Sequence, residues 1–140
     1  MLVGKVIYNI LSNNGNVSGV TTNIKPVFFP DPNKAQDSEV VTPSIVYEVT
    51  NTDTTDVKGQ VSPVDVYQVL VTILHDDYSS ATSLAEFVRT ALDHVSGTYN
   101  TIKVDSIFFI DSDDNIINKT HQGQSAIFVI EQLYRVRVKR

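Results

Sequence analysis

The side chains able to do chemistry are few and scattered. Carboxylates are densest at Asp111-Ser112-Asp113-Asp114-Asn115. A calcium loop needs alternating oxygen ligands, a glycine at its sixth place and a bidentate glutamate at its twelfth. Those places hold Ile116 and Gln122, so a solvated turn after a strand is the better reading. His75-Asp76-Asp77 sets an imidazole beside two carboxylates, but adjacent strand residues point to opposite faces and no third ligand stands at metal spacing. A strand-end cap before a helix suits it better. His94 and His121 have no partner in the sequence around them. No Gly-x-Ser-x-Gly elbow occurs, and the glycines at 4, 15, 19, 59, 97 and 123 form no phosphate-binding loop. The absence of cysteine removes a disulfide framework, a thiolate metal site and a cysteine nucleophile together. The expectation is a protein without catalysis, metal or cofactor.

What remains is charge. The 140 residues carry 16 acidic and 11 basic side chains, a net charge of -5, which argues against a nucleic-acid binder with a generally basic surface. The terminal RVRVKR, with Arg135 and Arg137, is the basic exception. It reads as a solvated strand face, as an electrostatic contact to an acidic partner subunit, or less readily as a DNA contact. The apolar start MLVGKVIYNIL turns polar at Ser12, too early to span a bilayer, and it lacks the basic start and cleavage site of a signal peptide. A soluble, unprocessed protein with no membrane partner is expected.

The elements that must position these groups are mostly strands. Val, Ile and Thr number 21, 12 and 13, against 5 Ala and 7 Leu. Branching at Cβ restricts side-chain rotation in a helix but packs well on a pleated sheet. The first helix is expected over about residues 2–12, where Val3, Ile7, Ile10 and Leu11 share a face. The second follows a Ser79 or Ser80 cap, carries Leu84, Val88, Ala91, Leu92 and Val95 at helical spacing, and ends with Gly97 in the left-handed C′ conformation. Strands are expected at 24–29, 44–50, 64–75, 104–111 and 126–139. In the last of these, Phe128, Ile130, Tyr134, Val136 and Val138 alternate with Glu131, Arg135, Arg137 and Lys139, the pattern of a half-buried strand. The strand at 64–75 is apolar on both faces: Val66, Leu70 and Leu74 on one, Tyr67, Val69, Val71 and Ile73 on the other. That implies a central strand, or one whose second face is covered by a neighbouring subunit.

The segment Pro30 to Pro43 holds three prolines among acids and amides, and Asn51 to Pro63 suits a polar hairpin turning at Lys58-Gly59. The whole chain, 1–140, reads as one domain.

In order, a short aliphatic helix, IKPVFFP, a polar loop, TPSIVYEVT, VDVYQVLVTILHDDY, the SLAEFVRTALDHV helix, SIFFIDSDDN and a closing IFVIEQLYRVRV resemble the tail-completion or tail-terminator family of long-tailed bacteriophages. The resemblance spans nearly the whole chain; its more specific parts are Pro43-Ser44-Ile45-Val46-Tyr47, the Val66 to Val69 pattern with its acidic strand end, and the aromatic-alternating last strand. It implies an α+β fold, an antiparallel or mixed β-sheet with two α-helices packed on one face and long polar loops. It also implies a ring, expected to be a hexamer, in the virion at the head-proximal end of the tail, assembled in the host bacterial cytoplasm. The ring would cap the tail tube protein, stop its polymerisation and meet the head connector or neck protein, while DNA passes through without specific binding. Two other readings stay open: a head-side connector or neck protein, and a cellular α+β ligand-binding module. The interface residues expected on this reading are Lys34, Val40, Val41, Tyr67, Val69, Val71, Arg135 and Arg137. The Pro30 to Pro43 segment departs from the family in its length and acidity, and it offers little apolar anchorage against the cost of ordering it. Limited proteolysis is therefore expected to cut near Lys34 in the isolated protein and to be suppressed in the assembly. Equal protection of Lys34 in both states would exclude a docking role for this segment.

Overall fold

The β-branched segments form a single six-stranded sheet. The structure, a computed structural model, describes residues 2–26, 43–54, 64–99, 101–117 and 127–139. In chain order the elements are α1 (Leu2–Asn13), the single turn α2 (Gly15–Ser18), β1 (Ile24–Pro26), β2 (Ser44–Thr54), β3 (Val64–His75), α3 (Tyr78–Leu92), β4 (Gly97–Tyr99), β5 (Ile102–Ile117) and β6 (Ile127–Lys139). The sheet order is β1-β2-β3-β6-β5-β4. β1 pairs with β2 in parallel and every other pair is antiparallel, so the sheet is mixed and the fold is α+β. β6, last in the chain, lies between β3 and β5 at the centre.

The core forms between the helices and one face of this sheet. α1 lies over β1 and β2, and α3 over β3, β6 and β5. On α1, Val3, Val6, Ile7 and Leu11 are buried; Val6 widens the expected stripe by one position. Gly4 permits this packing, because a Cβ there would stand 3.2 Å from the Tyr47 ring on β2.

α3 begins two or three residues earlier than expected. Asp77, not Ser79 or Ser80, is its N-cap: the carboxylate accepts from Ser80 N–H at 2.9 Å and from Ser80 Oγ at 2.7 Å. These two bonds favour the ionised form and hold the Asp77 carboxyl below its ordinary range. The other end also differs. Asp93 is already extended, and His94, at φ 65°, takes the left-handed conformation that closes the helix, while Gly97, also at positive φ (140°), opens β4 instead. The cause is docking onto β5. The Asp93 carboxylate accepts from Phe109 N–H (3.0 Å), and His94 N–H donates to the Ile107 carbonyl (2.7 Å). These bonds take the chain straight from helix to sheet, and histidine tolerates positive φ better than most residues.

Three strand expectations change. Asp111 to Asn115 is not a turn: β5 continues to Ile117 in register with β6, because pairing along both strands outweighs local turn propensity. β2 runs on to Thr54 opposite Asp65 of β3, and residues 55–63 of the expected hairpin lie outside the described residues. β1 is three residues long, and residues 27–42, with Lys34, Val40 and Val41, also lie outside them.

The two faces of β3 are assigned by α3. Val69, Val71 and Ile73 are fully buried under the helices within one subunit, and Tyr67 packs against the same core. Burial of Val69, Val71 and Ile73 by a neighbouring subunit is thereby corrected, since packing within the subunit already covers them, whereas Tyr67 stays half-buried. Val66, Leu70 and Leu74 lie on the opposite, helix-free face.

Leu92, fully buried at the end of α3, tests the core. Leu92→Ala is expected to lower unfolding free energy by about 2–5 kcal/mol in denaturant titration, from lost burial and the cavity left behind.

Candidate functional site

The alternation of β6 divides its side chains between two environments. Phe128, Ile130, Tyr134, Val136 and Val138 face the helices, as the sequence pattern requires, while Arg135, Arg137 and Lys139 are exposed on the helix-free side. Pairing with β5 then adds residues that no spacing in the sequence links to them. Lys103 stands opposite Lys139, Ser106 opposite Arg137 and Phe108 opposite Arg135. The result is a basic end made of Lys103, Arg135, Arg137 and Lys139. Asp105, in a bulge of β5, reaches Arg137 at 3.9 Å and Lys139 at 3.8 Å, both long contacts between partly exposed groups.

The same face becomes acidic further along β5. A second bulge, at Ile110, shifts the register so that Asp111 faces Leu133 and Asp113 faces Glu131. Without it these carboxylates would point to the helix side, because a shift of one residue exchanges the faces of a strand. Between the two ends lie Leu70 and Leu133, paired across β3 and β6, with Phe108 alongside, 42% exposed. From the Lys139 row to the Glu131 row is about 27 Å at the usual rise per strand residue.

Beneath this face a buried polar link holds β6 to α3. Gln132 Nε2 donates to the Ala85 carbonyl at 3.0 Å, and Tyr134 Oη donates to Gln132 Oε1 at 2.7 Å. Both side chains are almost wholly buried, and burial pushes the Tyr134 phenol strongly up, so it remains a donor. Phe109 meets the Tyr134 ring edge-on at 5.7 Å, and the Arg89 guanidinium lies 3.9 Å above the Phe109 ring. The sequence reading passed over Gln132. Its signal was available: it occupies an even, inward position in the β6 alternation and is the only polar residue there.

The remaining chemical candidates stay apart. His75 Nδ1 accepts from Asp77 N–H at 3.2 Å, propping the turn into α3 in the strand-end role expected of this tripeptide. His94 is exposed, 3.6 Å from Asp93, with its ring edge-on to Phe108. Among the described residues, no three His, Asp or Glu side chains come together as a metal site, and no helix is long and apolar enough to cross a membrane. His121 lies outside them. Of the expected interface residues, Arg135 and Arg137 are exposed side by side, whereas Tyr67, Val69 and Val71 belong to the core side.

No protein-family model and no curated protein sequence matches the chain. Its fold is similar to that of a chain in the virion of a native gene transfer agent (GTA) particle, with a TM-score of 0.65 at 15% identity. The similarity covers 96% of this chain and 92% of that one, so it embraces the complete architecture of the sheet and helices.

The buried link yields a double-mutant test. Gln132→Leu leaves the Tyr134 hydroxyl buried without an acceptor, at an expected cost of about 1–3 kcal/mol. Adding Tyr134→Phe removes the stranded group, so the double variant is expected to be more stable than Gln132→Leu alone. Simple additivity of the two losses in denaturant unfolding would disprove the coupling.

Proposed function

We propose that this protein is a virion structural protein, a tail terminator that caps the tail tube as a ring, expected to be hexameric, stops tube polymerisation and offers the joining surface for the head. The observation carrying this reading is the likeness in fold, over nearly the full length of both chains, to a chain of a gene transfer agent virion. The order of sequence elements that resembles the tail-terminator family supports it independently. The work is assembly rather than catalysis. Arg135 and Arg137, exposed on a chain of net charge -5, are the subunit or partner contacts on this reading. A head-side connector or neck protein is the second reading, since fold likeness alone does not choose between roles in a virion. DNA passes through the ring without specific binding, consistent with the acidic net charge.

Tube assembly in vitro separates the two. Added to polymerising tail tube protein, this chain is expected to stop growth, cap one end and run as a six-fold species in native mass spectrometry. Tubes that grow to unchanged length, with the chain bound to the portal end of heads instead, would replace the terminator reading by the neck reading.

A further inference from the structure

We propose that the uncovered half of β5, with the groove between it and α3, docks the outer side of α1 from a second copy of this chain, so that successive subunits join by opposite edges. The inference rests on the ring reading above and names the surfaces that build the ring.

The helix layer is one helix short. A helix is about 10 Å across and strands stand about 4.8 Å apart, so each helix covers about two strands. α1 serves β1 and β2, while α3 serves β3 and β6 and reaches β5 at its C-terminal end, where Asp93 and His94 bond to Phe109 and Ile107. Beyond Phe109, every position of β5 from Ile110 to Ile116 is exposed, on both faces of the strand. Ile116 is 58% exposed although it stands opposite Phe128, and Tyr78, edge-on to Phe128 at 5.6 Å, is 52% exposed. These three residues make one end of the open surface apolar. The groove beside them is acidic: Glu86 of α3 and Asp114 of β5 line it from its two sides, with Thr82 and Ser112. Arg89 lines it as well, but its guanidinium lies over the Phe109 ring and 3.9 Å from the Asp93 carboxylate.

The missing helix is matched by α1. The described residues hold two helices longer than one turn, α1 and α3. A second copy's α3 would bring its own Glu86 against Glu86 and Asp114, like charge on like. α1 brings none: residues 2–26 carry Lys5 and Lys25 and no carboxylate side chain. The outer side of α1 is open. Lys5, Tyr8, Asn9 and Ser12 line a cleft of about 290 Å³ with Tyr47 of β2, among the described residues none of α3 borders it, and Tyr8 is 47% exposed. The 12 residues of α1 span about 18 Å, against about 23 Å for Ile110 to Ile116. Laid beside α3, Lys5 meets Glu86 and Asp114, and Tyr8, one turn along, meets the apolar end.

The sheet order sets these surfaces apart, α1 over β1 and β2 at one edge and β5 toward the other. Joining opposite edges gives a heterologous interface, which closes into a ring when the rotation per subunit divides the circle. The helix layer then continues from one subunit into the next, and Arg135 and Arg137, on the helix-free side, stay available to other partners. Because the charges concerned are exposed, added salt weakens the contact.

The test uses the full chain. One variant carries Lys5→Glu, another Glu86→Lys and Asp114→Lys, all at exposed positions, and circular dichroism with thermal melting checks that each folds. In sedimentation and native mass spectrometry, each variant alone is expected to lose self-association by about 10-fold or more, since like charges then meet. A mixture of the two is expected to regain it, because every junction of an alternating ring is again complementary. Because the chain has no cysteine, crosslinking gives a second readout that does not depend on charge. Tyr8→Cys and Thr82→Cys chains, mixed and treated with a short bismaleimide, are expected to join to each other, while neither joins to itself. Wild-type rings that survive both reversals, or that form without the mixed crosslink, would overturn these surfaces while leaving the ring reading intact. Assembly that stops at two copies would overturn the head-to-tail arrangement. A wild-type chain that stays monomeric even when bound to tubes would instead remove the ring reading, and these surfaces with it.

Discussion

Gln132 is the buried amide between α3 and β6: its bond to Ala85 ties the helix to the sheet, and its bond to Tyr134, within β6, holds the amide in place. An amide in a core is costly unless both its donor and its acceptor are satisfied. Here the Ala85 carbonyl takes the donor and the Tyr134 hydroxyl supplies the acceptor's partner. With α3 anchored at Ala85, the apolar residues on its inner side, Leu84, Val88 and Leu92, fall over β3, β6 and β5. Tyr134 in turn meets the Phe109 ring edge-on, and the Arg89 guanidinium stacks over that ring.

This anchoring makes the sheet one-sided. Both long helices cover the same face, so the apolar residues of β3 on that side are spent within the subunit, and whatever assembly the chain undergoes must use other surfaces. The helix-free side is built differently, with Val66, Leu70, Leu74 and Leu133 half-buried among charges, and Ile127 and Val129 buried at one end of β6.

The two bulges of β5 connect these sides. An unbroken β5 would have kept one alternation from Ile102 to Ile117. The bulges at Asp105 and Ile110 instead reset it twice. The first keeps Val104 and Ile107 both inward although they are three apart. The second sends Asp111 and Asp113 to the helix-free side. Sequence alternation alone therefore misassigns β5, and Asp111 to Asn115, polar at every position, read as a turn on residue type.

The sequence by itself determined the class of fold and most element positions, since those rest on local forces. β-branched composition dictated sheet, the period of α1 and α3 marked their inner faces, and the alternation from Tyr134 to Lys139 settled the two sides of β6. The bounds of β3 followed from the run Val64 to His75. Other features needed the tertiary structure because they depend on partners distant in the chain. That β6 lies between β3 and β5, that α3 rather than a neighbouring subunit covers Val69 and Val71, and that Asp77 and His94 bound the α3 turn ends all follow from such contacts. The candidate site was half legible. Arg135 and Arg137 announced themselves by alternation with valines, but Lys103, Asp111 and Asp113 join them only through register and bulges, which no local pattern encodes.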